Sequence, residues 1–131
     1  MEKATDISAT ELTSLLLALA ELYEWEMGHS PFLNTITGRH LYFKIANRVI
    51  GEKKLLARSM KDLYHGANIS EKALRLRLRE FETQNFIRSI CDGEDARVRC
   101  LMPSESMYEA MYLHAQQAKK IFSKDFLVLK K

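Results

Sequence analysis

Apolar residues recur every three or four positions between residues 12 and 27: Leu12, Leu15, Leu16, Leu19, Leu22, Tyr23 and Met27. That is the helical period, so "ATELTSLLLALAELYEWEM" predicts a helix, with Ser8 or Thr10 as its cap and Gly28 at its end. "HSPFLNTIT" breaks the pattern with Pro31 and polar residues and reads as a connection. The period returns in "GRHLYFKIANRVI", from Thr37 or just after, with Leu41, Ile45 and Val49 on one stripe and Gly51 as the stop. "KKLLA" is too short to classify and leans to an extended link. Ser59 caps a short helix, "MKDLYH", with Asp62 completing an approximate capping box and Leu63 and Tyr64 as core contacts. "GAN" is a turn.

The stretch "SEKALRLRLREFE", residues 70–82, carries two competing periods. Leu and Arg alternate for six residues, which suits a half-buried strand. Yet the segment has no β-branched residue and is rich in strong helix formers. Ser70 is a good N-cap, Glu71 sits where the helix dipole favours an acid, and Ile69 and Leu74 have hydrophobic-staple spacing. Leu74, Leu78 and Phe81 continue at four and three residues, beyond the alternating patch. Residues 70–84 are therefore predicted to be a helix. Its apolar stripe leaves Lys72, Leu76, Arg79 and Thr83 on the opposite side, with Arg75 beside them and Arg77 at the edge, its stem over apolar surface and its head in solvent.

"FIRSICDGEDARVRCLM" places Ile87, Ile90, Cys91, Val98, Cys100 and Leu101 around the turn signal "DGED", predicting a β-hairpin. A loop at 92–95 would set Cys91 opposite Ala96 and Ile87 opposite Cys100, which keeps the two sulfurs apart. After Pro103 a long helix follows, "SESMYEAMYLHAQQAKKIF", with one apolar series Tyr108, Met111, Ala115, Ala118 and Phe122, and a second at Met107, His114 and Ile121. The tail is apolar again from Phe126 to Leu129 and must dock on its own domain or on another subunit. The fold class expected is mainly α with a small β-hairpin: a winged helix-turn-helix at 37–102, flanked by long helices at 8–28 and 103–131. All of 1–131 is expected to form one domain.

Composition narrows the function. The chain has 131 residues, 47% hydrophobic and 28% charged, as expected of a globular protein with one core. No apolar run reaches the ~20 residues of a membrane span, and the N-terminus lacks a signal-peptide pattern. A cytoplasmic protein without membrane contact is expected, with both thiols reduced and partly buried. Net charge is only +3, but it is unevenly spread. Residues 1–38 hold one lysine against six acids, whereas Lys53 to Arg79 is densely basic. An acidic arm and a basic body suit contact with phosphate.

Enzyme chemistry has little support. His29, His40, His65 and His114 fall in different elements without paired-ligand spacing, and no phosphate loop or nucleophile motif is present. No metal or other cofactor is expected. His114 reads as a packed interface histidine. Trp25 and Tyr23 suit core or dimer packing better than a small-molecule pocket.

"ISEKALRLRLREFETQNFIRS" and "DGEDARVRCLMP" resemble the multiple-antibiotic-resistance-regulator (MarR) family of bacterial winged-helix repressors. The family's Leu-Glu pair, Gly-Leu-Ile/Val-Arg segment and Asp-x-Arg wing are matched by Phe81-Glu82, Asn85-Phe86-Ile87-Arg88 and Asp95-Ala96-Arg97. Asn at 85 replaces the usual Gly, and "PSES" stands where the family has Thr-x-x-Gly. The resemblance implies a homodimeric regulator of transcription on double-stranded DNA, dimerised through the terminal helices. It implies a recognition helix at 70–84 in the major groove and a wing at 86–102 on the adjacent backbone or minor groove. The DNA-binding residues expected are Ser70, Lys72, Arg75, Leu76, Arg79, Arg88, Arg97 and Arg99. A small-molecule effector is open. The rival reading is a winged-helix adaptor for protein partners, in which Arg75 and Arg79 merely pair with Glu71 or Glu82 on a solvated face.

Overall fold

A computed structural model describes residues 6–58, 63, 68–92 and 95–125, with side-chain positions for all of these except 92, 95–98 and 125. Ser59, Tyr64, the turn glycine Gly66 and the apolar tail lie outside the described residues. Two compact units emerge, one of 1–30 with 112–131 and one of 31–111.

In the first unit, helix α1 runs Ala9–His29. Ser8 is its cap: the Ser8 hydroxyl accepts from the Glu11 amide and the Glu11 carboxylate accepts from the Ser8 amide. This reciprocal box satisfies two amides that an open helix end leaves bare. The expected apolar stripe is real, but this chain leaves most of it uncovered. Leu12, Leu16, Leu19, Tyr23 and Met27 are all exposed, while Ala18 and Glu26 are buried. Facing α1 is the later part of helix α4, which spans Glu105–Asp125. Lys124 donates to both carboxylate oxygens of Glu21 at 3.0 Å.

The second unit holds the larger core. Helix α2, Ile36–Ile45, begins one residue before the expected Thr37 because Thr35 caps it, its hydroxyl accepting from Gly38. The helix continues as a wider π-helical turn through Ala46–Gly51. It ends at Gly51, the expected stop, and Lys53, at φ 58°, turns the chain so that the Lys54 amide bonds the Arg48 carbonyl. Of the expected connection at 29–37, residues 30–35 are irregular, yet Phe32 and Leu33 within them are almost wholly buried. The Phe32 ring meets Phe81, Phe86 and Tyr42 at centroid distances of 5.1, 4.6 and 5.4 Å.

The expected extended link "KKLLA" ends in a short strand, β1, Leu56–Ala57. Two residues show no period of their own; pairing with a partner strand makes them a strand. Leu63, the one described residue of the expected short helix, is helical and fully buried. Helix α3, Glu71–Thr83, has the expected Ser70 cap and buries Leu74, Leu78 and Phe81. It closes with a Schellman turn. The Phe86 amide reaches the Phe81 carbonyl, the Asn85 amide reaches Glu82, and Asn85 takes φ 65°. Asparagine tolerates that left-handed conformation better than most residues.

The hairpin is formed by β2, Ile87–Asp92, and β3, Asp95–Pro103, and β1 pairs on the other edge of β3. The expected hairpin alone is thus extended to three antiparallel strands. Its register is also corrected: Cys91 faces Arg99, not Ala96, and Ile87 faces Pro103, not Cys100. The expected alignment persists only at the tip, where Asp92 faces Asp95. Between these pairs a bulge takes up residues 96–98 of β3. An odd shift exchanges the faces of a strand, and here it puts Leu101 on the core side with Ile87. Both are 1% exposed.

In α4 the series Met107, His114 and Ile121 is largely buried, with Met111, whereas Tyr108 and Ala115 of the other expected series are exposed. Helix α2, the helical and buried Leu63, the capped helix α3 and the three-stranded sheet fit a winged helix-turn-helix.

Candidate nucleic-acid interface

The outer face of α3 is set by the way its inner face is held. Leu74, Leu78 and Phe81 anchor one side, and at about 100° per residue the opposite side receives Lys72, Leu76 and Arg79, with Arg75 adjoining. All four are exposed. Ser70 is occupied at the helix start: its hydroxyl accepts from the Ala73 amide at 3.1 Å.

The cations on this face differ in what already holds them. The Arg75 guanidinium pairs with the Glu71 carboxylate one turn earlier. Lys72 and Arg79 make no hydrogen bond or ion pair with another described residue. Glu82, within reach of Arg79 by spacing, is instead turned toward Arg58 at 3.4 Å. Arg77 pairs with Glu80 at 2.9 Å, so its head is engaged on the helix edge as well as wetted. A recess of about 180 Å³ lies on the outer face beside Leu76, lined also by Arg79, Glu80, Thr83 and Gln84.

On the hairpin, paired residues share a face and neighbours alternate. Arg99 therefore lies on the side of Ser89 and Cys91. It donates to the Ser89 carbonyl at 3.0 Å and to the Cys91 sulfur at 3.2 Å. Arg88 lies on the other side and is exposed. The two arginines are thus not gathered on one face. Arg97 belongs to the bulge of β3; its side chain lies outside the described residues. Cys91 is exposed and Cys100 buried, and neither is in a disulfide. The expectation that both are partly buried is corrected for Cys91, because the register puts it at the strand end nearest the tip.

Arg58 was not singled out among the basic residues by its sequence context. Its guanidinium bonds Ser89 Oγ at 3.2 Å and Glu82, while its backbone amide bonds the Arg99 carbonyl. It ties the end of α3 to the sheet. The signal was hidden, because it depends on β1 being a strand.

The terminal helices hold a polar contact inside their unit. His114 Nε2 and Glu26 Oε2 are 2.8 Å apart, with only 13% and 7% of their side chains exposed. The Trp25 ring stacks with His29 at 4.9 Å and with His114 at 6.1 Å. Among the described residues no group of three or more His, Cys, Asp and Glu is placed to hold a metal ion. No described helix is long and apolar enough to cross a membrane.

No family model matches the chain, and no curated protein sequence matches it. Solved structures do. BpsR of Bordetella bronchiseptica, whose DNA binding is regulated by 6-hydroxynicotinic acid, is similar over 99% of this chain and 87% of its own, at 12% identity and a TM-score of 0.50. The heme sensor PefR of Streptococcus agalactiae, in complex with heme, is similar over 96% of this chain and 84% of its own, at 16% identity and a TM-score of 0.54. The same sensor with heme and carbon monoxide gives 95%, 83%, 16% and 0.54. At such identity the likeness is one of fold. The winged helix-turn-helix built here by the chain's own caps, core and strand pairing is a scaffold shared with a DNA-binding protein and with a heme sensor.

Proposed function

We propose that the chain is a sequence-specific regulator of transcription that binds double-stranded DNA, with α3 in the major groove. The observation that carries this is the two-sided build of α3. One face is locked into the core by Leu74, Leu78 and Phe81, and the other offers Lys72, Arg75, Leu76 and Arg79 to solvent. A rigid helix that holds cations outward can enter the groove without reordering, and the groove's phosphates supply the opposite charge. Ser70 holds the start of the helix. Arg97 is the hairpin cation proposed to meet the flanking backbone, with Arg99 or Arg88, which stand on opposite faces of the hairpin, adding a phosphate contact. Membership of the MarR family belongs to the same proposal, supported by the motifs around Phe81-Glu82 and Asp95-Ala96-Arg97.

The functional unit is proposed to be a homodimer. Its support is the run Leu12, Leu16, Leu19, Tyr23 and Met27, exposed at helical spacing on α1. Two copies would set two α3 helices into half-sites about one helical turn apart. Control by a small-molecule effector is proposed from the likeness to BpsR and PefR. The Arg75–Glu71 pair favours the adaptor as second reading, since it is the arrangement a merely solvated face would adopt.

Selection of bound fragments from random double-stranded DNA decides between them. A DNA-binding regulator enriches one pseudo-palindromic sequence, keeps its preference against competitor DNA and loses affinity steeply with salt. An adaptor enriches nothing.

A further inference from the structure

Leu76 is the residue of α3 whose placement the core does not explain. Its neighbours in the leucine series, Leu74 and Leu78, are 0% and 3% exposed, whereas Leu76 is 55% exposed. Lys72, Arg75 and Arg79 surround it on the outer face, and the recess beside it takes in Arg79 and Thr83. A single exposed leucine is ordinary. A leucine in the centre of a cationic face, at the edge of a recess that Arg79, Glu80 and Thr83 also line, is an apolar contact point among charged groups. The base edges of the major groove offer one apolar group: the C5-methyl of a pyrimidine, which sits among hydrogen-bonding atoms and is flanked by phosphates.

We propose that Leu76 reads a pyrimidine C5-methyl group, carried by thymine or by 5-methylcytosine, while the cations around it engage the neighbouring phosphates and bases. This rests on the DNA-binding reading above and adds the chemistry that its centre selects. The methyl packs against the Leu76 side chain, and the recess leaves room for the base edge. Discrimination follows from the area removed from water, so it is modest: one methyl is worth about 0.8 kcal/mol, or roughly fourfold in affinity per half-site.

The test uses the full chain and the site selected from random DNA. Each thymine is replaced in turn by deoxyuridine, which removes the methyl and keeps the hydrogen-bonding edge. Each cytosine is replaced in turn by 5-methylcytosine, which adds it. The expected result is one position per half-site where the methyl strengthens binding by about fourfold, with the step lost in Leu76→Ala and kept in Leu76→Met. The deoxyuridine arm identifies thymine as the source and the methylcytosine arm identifies 5-methylcytosine. A selected site with no such position overturns the inference, as does a step that persists in Leu76→Ala; DNA binding itself then stands. If no site is enriched, both readings fall.

Discussion

Asn85 and Gly38 show how single residues hold the winged unit together. Asn85 sits at φ 65°, where the Schellman turn after α3 needs a left-handed residue. Such a conformation costs an ordinary side chain roughly 1–2 kcal/mol. Asn85→Ala is therefore expected to lower stability by about 1 kcal/mol in urea denaturation, with Asn85→Gly as stable as the parent or more so. Gly38 has a different reason to be glycine. A methyl group there would collide with the Phe32 carbonyl oxygen and crowd Thr35 Oγ1. Because Phe32 is a buried aromatic hub, its backbone has little room to yield. Gly38→Ala is expected to cost about 1–3 kcal/mol, the usual range for an overpacked site. Unchanged urea midpoints would show that the segment before α2 relaxes freely.

At the scale of the element, α3 combines an anchored face with a cationic one, and position along it separates the proposed roles. Lys72, Arg75 and Leu76 lie in its first two turns; Arg79 is a turn further back. Arg75 starts from an ion pair with Glu71, so its approach to a base must compete with that carboxylate. Both side chains are well exposed, and such a pair contributes only a few tenths of a kcal/mol to the helix. A bidentate contact to guanine is worth about 1–3 kcal/mol, which is enough to displace it. Arg75→Ala is accordingly expected to weaken the selected site more than random DNA. Arg79→Ala should weaken both alike and reduce the salt slope by roughly one unit per half-site. Fluorescence anisotropy over a salt series reads both, after circular dichroism has shown each variant folded. Unaltered binding by both variants would leave the basic face as a solvated surface.

For the whole molecule, the exposed apolar run on α1 is the feature that a single copy leaves without use. Isolated exposed leucines are normal, but five large side chains in one helical register form a patch of the kind that marks an interface. On the proposed reading a second copy covers it. Leu16→Glu combined with Leu19→Glu is expected to convert the dimer to a monomer in sedimentation velocity. DNA affinity should fall with it, since each copy then brings only one α3 to the site. A parent chain that sediments as a monomer at all concentrations would defeat the dimer.

Much of this molecule is decided within short windows of chain. The Ser8 cap, the α3 boundaries, the stripe Leu74, Leu78 and Phe81, and the left-handed Asn85 follow from local rules, because caps and helical periods involve residues only a few positions apart. The outward set Lys72, Arg75, Leu76 and Arg79 was legible for the same reason. Tertiary structure alone decided what depends on a distant partner. Leu56–Ala57 became a strand through β3, and Arg58 thereby became a tie between α3 and the sheet. Phe32 entered the core from an irregular segment with no period to reveal it. The hairpin register followed the burial of Ile87 and Leu101, which a bulge at residues 96–98 accommodates. Turn chemistry constrains only the nearest pair, whereas burial of a whole face outweighs it along the rest of the ladder.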